Sequence, residues 1–179
     1  MSRLYTMNVS EATGKLAELF DNLKRAIGKV PNAYATLGSN SPELLAHALQ
    51  MGSVLQLHSG LSKKEIEAIN LAVSEDSRCE YCLAAHTLTG RAAGFSTPQT
   101  KALRKGSYPE DSRLDALVKF ALRIVDSKGT LPADSLVGVR EAGFSDRQIV
   151  GTIGAISAIL FTNMLNRVND TTLDFPAAD

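Results

Sequence analysis

The chain has 179 residues, which is long enough for one domain with a full hydrophobic core and short for two. An apolar fraction of 44% and a charged fraction of 21% are typical of a soluble globular protein. The 19 basic residues balance the 19 acidic ones, so charge gives no reason to expect nucleic acid or an anionic membrane as a partner.

The beginning of the chain, MSRLYTMNVSEATGK, lacks the apolar segment of a signal peptide. The longest largely apolar run, residues 149–161, is shorter than the roughly 20 residues that a membrane-spanning helix needs. We therefore expect a cytoplasmic protein with one domain over residues 1–179. Residues 1–9 are expected to form an N-terminal arm and residues 169–179 an irregular tail, and either could lie on a partner.

Apolar residues recur at helical spacing along the chain, and no convincing alternating strand pattern is present. The sequence therefore predicts an all-α domain of about seven or eight helices. The predicted helices cover, approximately, residues 11–27, 42–58, 63–74, 78–93, 97–105, 112–125, 131–142 and 146–168.

Three short joints between these helices share one pattern: a glycine, an apolar residue, a serine, and Glu or Gln three residues after the serine. The glycine suits the left-handed position that ends a helix, and the serine with the Glu or Gln forms a capping box for the next one. Each joint is thus predicted to connect two helices with almost no loop. The joints are residues 60–65, 94–99 and 143–148.

The last predicted helix, residues 146–168, carries apolar residues on several faces together with small residues that permit close helix approach. A helix that is apolar nearly all round must be buried. Two interpretations remain open: the helix is the centre of the domain, or its surface is completed by another subunit.

Both cysteines of the chain lie in the segment SEDSRCEYCLAAHT, residues 74–87. Ser77 and Glu80 have the spacing of a capping box, which would place Cys79 in the first helical turn, where the helix dipole lowers a thiol pKa. Cys82 and His86 are one turn apart on the same face as Cys79. A histidine can activate a neighbouring thiol, and a second thiol can condense with a sulfenic acid to form a disulfide.

The cysteine pair also has interpretations other than a redox site. A zinc site would need a fourth ligand, and the chain has no second cysteine pair. Covalent haem attachment requires a histidine directly after the second cysteine, where this chain has Leu83. We therefore predict no metal and no cofactor. Two inert buried cysteines remain the structural alternative to a redox pair.

The arrangement Glu67, eleven residues, Cys79-x-x-Cys82-x-x-x-His86 resembles the alkyl hydroperoxidase D-like branch of the carboxymuconolactone decarboxylase superfamily. The joints on both sides of this motif also fit, and the segment NMLNR at residues 163–167 resembles the end of the peroxidase-related subgroup. The resemblance implies an all-helical fold, assembly into trimers or hexamers, and reduction of peroxides by the cysteine pair.

By the same resemblance, Cys82 is the peroxidatic thiol and Cys79 the more exposed resolving thiol, while Glu67 and His86 form a proton relay. Spacing alone leaves the order of attack open, since the helix start favours a Cys79 thiolate and His86 favours Cys82. The chain departs from the well-studied hydroperoxidase at Tyr81, where that enzyme has a histidine. The decarboxylases of the superfamily lack the cysteine pair, which argues against lactone decarboxylation here.

Taken without the resemblance, several of these side chains have ordinary structural explanations. Glu67 falls on a polar face and is four residues from Lys63, an ion-pair spacing. His47 suits a partly buried position, His58 the end of a helix, and Tyr81 packing or a pocket rim. Helix termination and subunit contacts, or alternatively a pocket lining, are expected of three residues in the last helix: Asn163, Asn166 and Arg167.

The leading hypothesis is a thiol-dependent peroxidase that acts on hydrogen peroxide or organic hydroperoxides and is recycled by an unidentified dithiol or protein reductant. A redox sensor or thiol–disulfide exchange protein with little turnover is the first alternative. The second is a non-redox enzyme of the superfamily in which Glu67 and His86 act as base and acid.

Overall fold

A computed structural model describes residues 2–178, so Met1 and Asp179, at the ends of the predicted arm and tail, lie outside the described residues. The regular structure of these residues is entirely helical, which confirms the predicted all-α class. The helices are α1 (Gly14–Ile27), α2 (Asn32–Asn40), α3 (Pro42–His58), α4 (Lys63–Asp76), α5 (Glu80–Ala92), α6 (Thr97–Arg104), α7 (Ser112–Asp126), α8 (Val137–Glu141) and α9 (Asp146–Asn169).

Two segments differ from the helices that the sequence predicts. Helix α2 was not predicted, since its sequence NAYATLGSN is short and rich in Asn, Gly and Ser. Tertiary packing holds it in place: a Cβ on Gly38 would lie 2.7 Å from Leu16 Cδ1. The helix predicted over residues 131–142 is instead a 3-10 turn, Ala133–Leu136, followed by the short α8.

The three predicted joints are present in the structure. In each, the serine Oγ accepts from the backbone N–H three residues on, and the Glu or Gln side chain accepts from the serine N–H. The joint glycines, Gly60, Gly94 and Gly143, have φ angles of 78°, 99° and 86°, a region that side-chain-bearing residues avoid. These joints turn the chain sharply, and the first and second of them bracket α4 and α5, the helices that carry the site.

Helix α4 occupies the centre of the fold, and all ten residues from Glu65 to Ser74 are buried. It packs against α5, α6, α7 and α9. Within this one chain α9 is not enclosed on all sides, so the interpretation of α9 as the buried centre of the domain holds for only one of its faces. One face of α9 packs on the core through residues such as Ile156 and Ile159, whereas Val150 and Ile153 on the other face are 67% and 47% exposed.

Helix α9 is 24 residues long, and by length and composition it is apolar enough to cross a membrane. Core helices of soluble proteins meet the same criterion. Helix α9 packs against α2, α3, α4, α5 and α7, and one apolar helix of this kind is not evidence of a membrane protein.

The terminal segments fold back onto their own chain. In the arm, the Leu4 N–H donates to Asn169 Oδ1 at 2.8 Å, and the hydroxyls of Thr6 and Thr36 share a hydrogen bond of 2.6 Å. In the tail, Lys29 Nζ lies 2.9 Å from Asp174 Oδ2. The arm and the tail therefore both contribute to the surface around the end of α9.

Candidate active site

The cysteine helix begins two residues later than the capping-box pattern predicts. Ser77 is not its N-cap but the C-cap of α4, because Arg78 adopts a left-handed conformation (φ 52°) and ends that helix. Cys79 itself is the N-cap of α5, and its Sγ accepts from the Cys82 N–H at 3.3 Å. The helix dipole still acts on Cys79, now from the cap position.

Cys79 and Cys82 are joined by a disulfide, with their Cα atoms 5.3 Å apart. Cys79 is 1% exposed and Cys82 is 3% exposed. The expectation that Cys79 is the more exposed thiol is therefore wrong for the disulfide form. A reductant must approach both sulfurs through a nearly closed surface.

Glu67 and His86 meet between α4 and α5. His86 Nδ1 lies 2.8 Å from Glu67 Oε2, and the Thr89 hydroxyl donates to the same oxygen at 2.7 Å. The Glu67 side chain is only 10% exposed, since its helix is enclosed on all sides. Glu67 is thus not the solvated partner of Lys63 that the isolated sequence suggests, and Thr89 joins the site as a residue that the sequence did not indicate.

The Glu67 carboxylate is ionised despite its burial. Burial alone would raise its pKa, but the charge and hydrogen bond of His86, the hydrogen bond of Thr89 and the charge of Lys63 together hold the pKa below its usual range. A carboxylate at Nδ1 fixes the imidazole ring and directs its Nε2 away from Glu67. The pair can therefore hold a proton at Nε2 and release it.

Two buried asparagines of α9 face the α4–α5 region. Asn163 binds α4: Ser74 Oγ donates to Asn163 Oδ1 at 3.3 Å, and Asn163 Nδ2 donates to the Val73 carbonyl at 3.5 Å. Asn166 Nδ2 donates to Cys82 Sγ at 3.4 Å. Arg167, by contrast, is exposed. Of the three polar residues singled out near the end of this helix, Asn166 is the one that touches the cysteine pair.

A cavity of about 430 Å³ opens beside the Glu67–His86 pair, between α3, α4 and α9. Its walls are mostly apolar, with polar groups at the end where Glu67 and His86 lie. Burial and the nearby negative charge of Glu67 raise the pKa of Tyr34, another wall residue. The wall residues include Tyr34, Leu44, His47, Met51, Leu55, Ile66, Glu67, Asn70, His86, Ala158, Ile159 and Phe161.

Tyr81 lies between the two cysteines in the sequence but takes part in packing. Its hydroxyl donates to Asp174 Oδ1 at 2.7 Å and accepts from the Ala33 N–H at 3.2 Å, and its ring contacts Phe175 edge to face. Burial, with the neighbouring Asp174 carboxylate, raises the pKa of Tyr81 far above its ordinary value. Tyr81 therefore stays neutral, and it ties the tail and the start of α2 to the cysteine segment.

The two remaining histidines lie away from the disulfide. His47 is exposed rather than partly buried and stands on the α3 wall of the cavity. His58 is in the last turn of α3, as predicted, where its carbonyl accepts from Arg147 Nε at 2.8 Å. Among residues 2–178 no group of three or more His, Cys, Asp or Glu side chains is arranged to hold a metal ion.

The chain is similar in structure to several solved proteins. A peroxidase-related protein of Ralstonia eutropha JMP134, described as an alkylhydroperoxidase AhpD core, has a TM-score of 0.85 at 20% identity, over 97% of this chain and 92% of that chain. A peroxidase-related protein of Silicibacter sp. TM1040 has a TM-score of 0.80 at 23% identity, over 96% of this chain and 94% of that chain.

A third similar structure is a cysteine-to-alanine variant of the debrominase Bmp8, in complex with 2,3,4-tribromopyrrole. Its TM-score is 0.79 at 16% identity, over 97% of this chain and 92% of that chain. At these identities the three likenesses establish the fold alone. No curated protein matches the chain.

The carboxymuconolactone decarboxylase family matches residues 42–110, a range that contains Glu67, both cysteines and His86. This family match covers part of the chain, whereas the structural likenesses cover nearly all of it and establish the fold. Both findings agree with the resemblance to the alkyl hydroperoxidase D-like branch that the motif carries. Members of the carboxymuconolactone decarboxylase family are, in general, enzymes.

Proposed function

We propose that this protein is a thiol-dependent peroxidase that reduces organic hydroperoxides through Cys79 and Cys82. One observation carries the proposal: a disulfide-forming pair lies one helical turn from His86, whose ring is held by the buried carboxylate of Glu67. The pair supplies two electrons and the imidazole supplies a proton, and peroxide reduction requires both.

The reaction begins with the Cys82 thiolate attacking the distal oxygen of the hydroperoxide. The S–O bond forms, the O–O bond breaks, and the leaving alkoxide takes a proton to become an alcohol. The Cys79 thiol then attacks the Cys82 sulfenic acid, so that the disulfide forms and water leaves. An external dithiol restores both thiols by exchange.

His86 and Glu67 handle the protons of this cycle. A neutral His86 accepts the Cys82 thiol proton as the nucleophile forms, and the resulting imidazolium donates it to the leaving alkoxide. Glu67 remains ionised throughout, since its pKa lies below the usual range, and it stabilises the imidazolium. Tyr81 contributes no proton, which leaves the cycle with one histidine where the well-studied hydroperoxidase has two.

The cavity beside His86 favours a hydroperoxide with a hydrocarbon group. A space of about 430 Å³ with mostly apolar walls fits such a group better than hydrogen peroxide, which gains nothing from apolar contacts. We expect Ala158→Leu, which narrows the cavity, to raise KM for cumene hydroperoxide several-fold. The same variant should leave the rate with hydrogen peroxide unchanged.

Turnover of cumene hydroperoxide with dihydrolipoamide as reductant tests the function. We expect Cys82→Ser to abolish turnover and His86→Asn to lower kcat by about 10²-fold or more, the usual contribution of an acid–base group. His58→Asn is the matched control, because His58 lies at the far end of α3, and it should turn over at the wild-type rate.

The alternatives predict different outcomes in the same assay. A redox sensor forms the Cys79–Cys82 disulfide with peroxide but consumes no peroxide catalytically. A non-redox enzyme keeps its activity when both cysteines are replaced by serine. If peroxide leaves both thiols free at neutral pH, the peroxidase proposal is wrong.

A second candidate, dithiol-dependent removal of a halogen from an aromatic ring, is favoured by the mostly apolar cavity next to His86, which can act as a proton donor. In one turnover, an aryl bromide, one thiolate and one thiol would give the ring with hydrogen in place of that bromine, bromide and the disulfide. Bromide release from 2,3,4-tribromopyrrole, the ligand of the similar debrominase, tests it.

We further propose a cytoplasmic location and a single domain over residues 1–179.

A further inference from the structure

We propose that Asn166 stabilises the Cys82 thiolate and thereby makes Cys82, rather than Cys79, the attacking thiol. The inference rests on the proposed function. Asn166 Nδ2 donates to Cys82 Sγ at 3.4 Å, and the two residues are only 4% and 3% exposed. The contact joins the last helix directly to the sulfur of the reacting pair.

The value of this contact depends on the redox state of the sulfur. A disulfide sulfur is a weak acceptor, whereas a thiolate carries a full charge, and hydrogen bonds to charged groups are about twice as strong as neutral ones. The difference is greater where water is excluded. The amide is therefore in place before the charge appears and stabilises the reduced, reactive form more than the oxidised one.

The two thiols compete for the negative charge. Cys79 has the advantage of the N-cap of α5, where its sulfur faces the Cys82 N–H. Cys82 has the amide of Asn166 from α9 and is one turn from His86, which is paired with Glu67 of α4. The hydrogen bond from Asn166 stabilises a thiolate at Cys82 and so offsets the advantage that the helix N-terminus gives to Cys79.

A second observation supports a role in the reaction. Asn166 Oδ1 is buried and has no hydrogen-bond partner among the described residues. An unpaired buried amide oxygen is costly, and the cost needs a reason. This acceptor is on the same planar amide that touches Cys82, where oxidation to a sulfenic acid creates a new O–H donor. The oxygen can accept from that group until Cys79 displaces it.

The end of α9 fixes the position of this amide. The Asn166 carbonyl accepts the N–H of Asp170, which has the left-handed conformation of a helix terminus, and the N–H of Thr171. These bonds close the last turn, and Asn169 in the same turn anchors it to the rest of the fold, because its Oδ1 accepts from the Leu4 N–H at 2.8 Å. Asn166 is thus presented to Cys82 by a rigid element.

Alkylation by iodoacetamide as a function of pH measures the pKa of each thiol without peroxide, because only the thiolate reacts. In Cys79→Ser the only thiol that can be alkylated is Cys82, and in Cys82→Ser it is Cys79. In these two single-thiol proteins we expect Cys82 to have the lower pKa. The opposite order would overturn the proposal before any change at Asn166 is made.

Into each single-thiol protein we would introduce Asn166→Ala and Asn166→Asp. We expect the alkylation rate of Cys82 at pH 7 to fall about tenfold with alanine, roughly one pKa unit. It should fall further with aspartate, which repels the thiolate, while the rate of Cys79 stays the same. Asn163→Ala, which removes a buried amide one turn away, is the matched control and should change neither thiol.

An equal change at both thiols, or the same effect from Asn163→Ala, would mean that Asn166 acts through the fold only. Because the measurement needs no peroxide, its outcome is independent of turnover. A lowered Cys82 pKa without peroxide consumption would leave the role of Asn166 intact and reject the peroxidase.

Discussion

Glu67 is an ionised carboxylate enclosed by protein at the edge of an apolar cavity. Its environment explains why it stays charged: three neighbours, His86, Thr89 and Lys63, outweigh the cost of burial. Buried charges survive only when they are paired and hydrogen-bonded, and Glu67 meets that condition through its Oε2 atom. The same contacts that fix the His86 ring therefore also hold α4 to α5.

Replacement of Glu67 by Gln should alter stability in a pH-dependent way. Because the pKa of Glu67 is lower in the folded state, the ionised carboxylate stabilises the fold at any pH above the unfolded-state pKa of about 4.3. This contribution is lost as the pH falls through the folded-state pKa. At pH 7 we expect the free energy of unfolding of the variant to be lower by about 1–2 kcal/mol, because a neutral amide replaces the charged acceptor of these hydrogen bonds. The two proteins should converge as the pH falls below the lowered folded-state pKa of Glu67.

Urea denaturation at pH 7, 5 and 3 measures this difference. Glu18→Gln, at an exposed position on α1, is the matched control and should remain within about 0.5 kcal/mol of the wild type at pH 7. A difference between wild type and Glu67→Gln that grows as the pH falls would contradict the assignment.

At the scale of the helices, the site depends on how closely α9 approaches its neighbours. Gly151 makes the approach to the end of α3 possible, since an added Cβ would lie 2.7 Å from Ser59 Cβ and 3.0 Å from the Ser59 carbonyl oxygen. The obstacle includes backbone, which cannot rotate away. The position of α9, and with it the position of Asn166, is set in part by this contact.

Gly151→Ala should therefore destabilise the protein by about 1–3 kcal/mol, the usual cost of overpacking a close contact. Gly138→Ala is the control, because a Cβ at this α8 position meets nothing within 4 Å. Alanine there should be neutral or slightly stabilising. Thermal denaturation of both variants measures the effect, and equal melting temperatures would show that α9 can shift to accommodate a methyl group.

The sequence predicts those elements whose determinants are local. The joint serines, Ser62, Ser96 and Ser145, cap their helices as their spacing indicates. Ser77 has the same spacing to Glu80 but not the same role, because α4 runs on to Asp76 and the left-handed Arg78 ends it just after Ser77. A capping box is a local preference, and tertiary packing of α4 overrides it.

The contacts that complete the site are long-range and could not be derived from spacing. Helix α2 is held by α1 and α3 rather than by its own propensity, and Tyr81 finds its partner 93 residues away in Asp174. One signal was present for Asn166. Asn163, Asn166 and Asn169 form a polar row three residues apart in an otherwise apolar helix, and all three are buried. Buried amides need partners, so this row marks the face of α9 that meets the rest of the site.

At the scale of the whole molecule, two neighbouring helices present apolar side chains to solvent. Leu57 on α3 and Val150 on α9 are 69% and 67% exposed, and Val54 and Ile153 are 43% and 47% exposed. An exposed apolar area of this kind marks an association surface. We propose that a second copy of the chain covers it, in agreement with the trimers or hexamers that the family resemblance implies.

Analytical ultracentrifugation tests this assembly. We expect the wild type to sediment as an oligomer and the double variant Leu57→Lys, Val150→Lys to sediment as a monomer, since two charges would have to be buried. Leu88→Lys on α5, at a residue 48% exposed, is the control and should leave the oligomer intact. A monomeric wild type would contradict the proposal. Because the cavity lies between α3 and α9, a docked subunit would also border its entrance.

The position of Tyr81 has a practical consequence for following the reaction. The chain contains no tryptophan and four tyrosines, so its ultraviolet emission comes from tyrosine alone. One of these four fluorophores, Tyr81, lies within the four-residue ring that the disulfide closes, with its hydroxyl bound to Asp174. Opening and closing that ring moves the peptide that carries the phenol. The difference in emission between wild type and Tyr81→Phe should therefore report the state of the thiols in real time, without a dye or an added label.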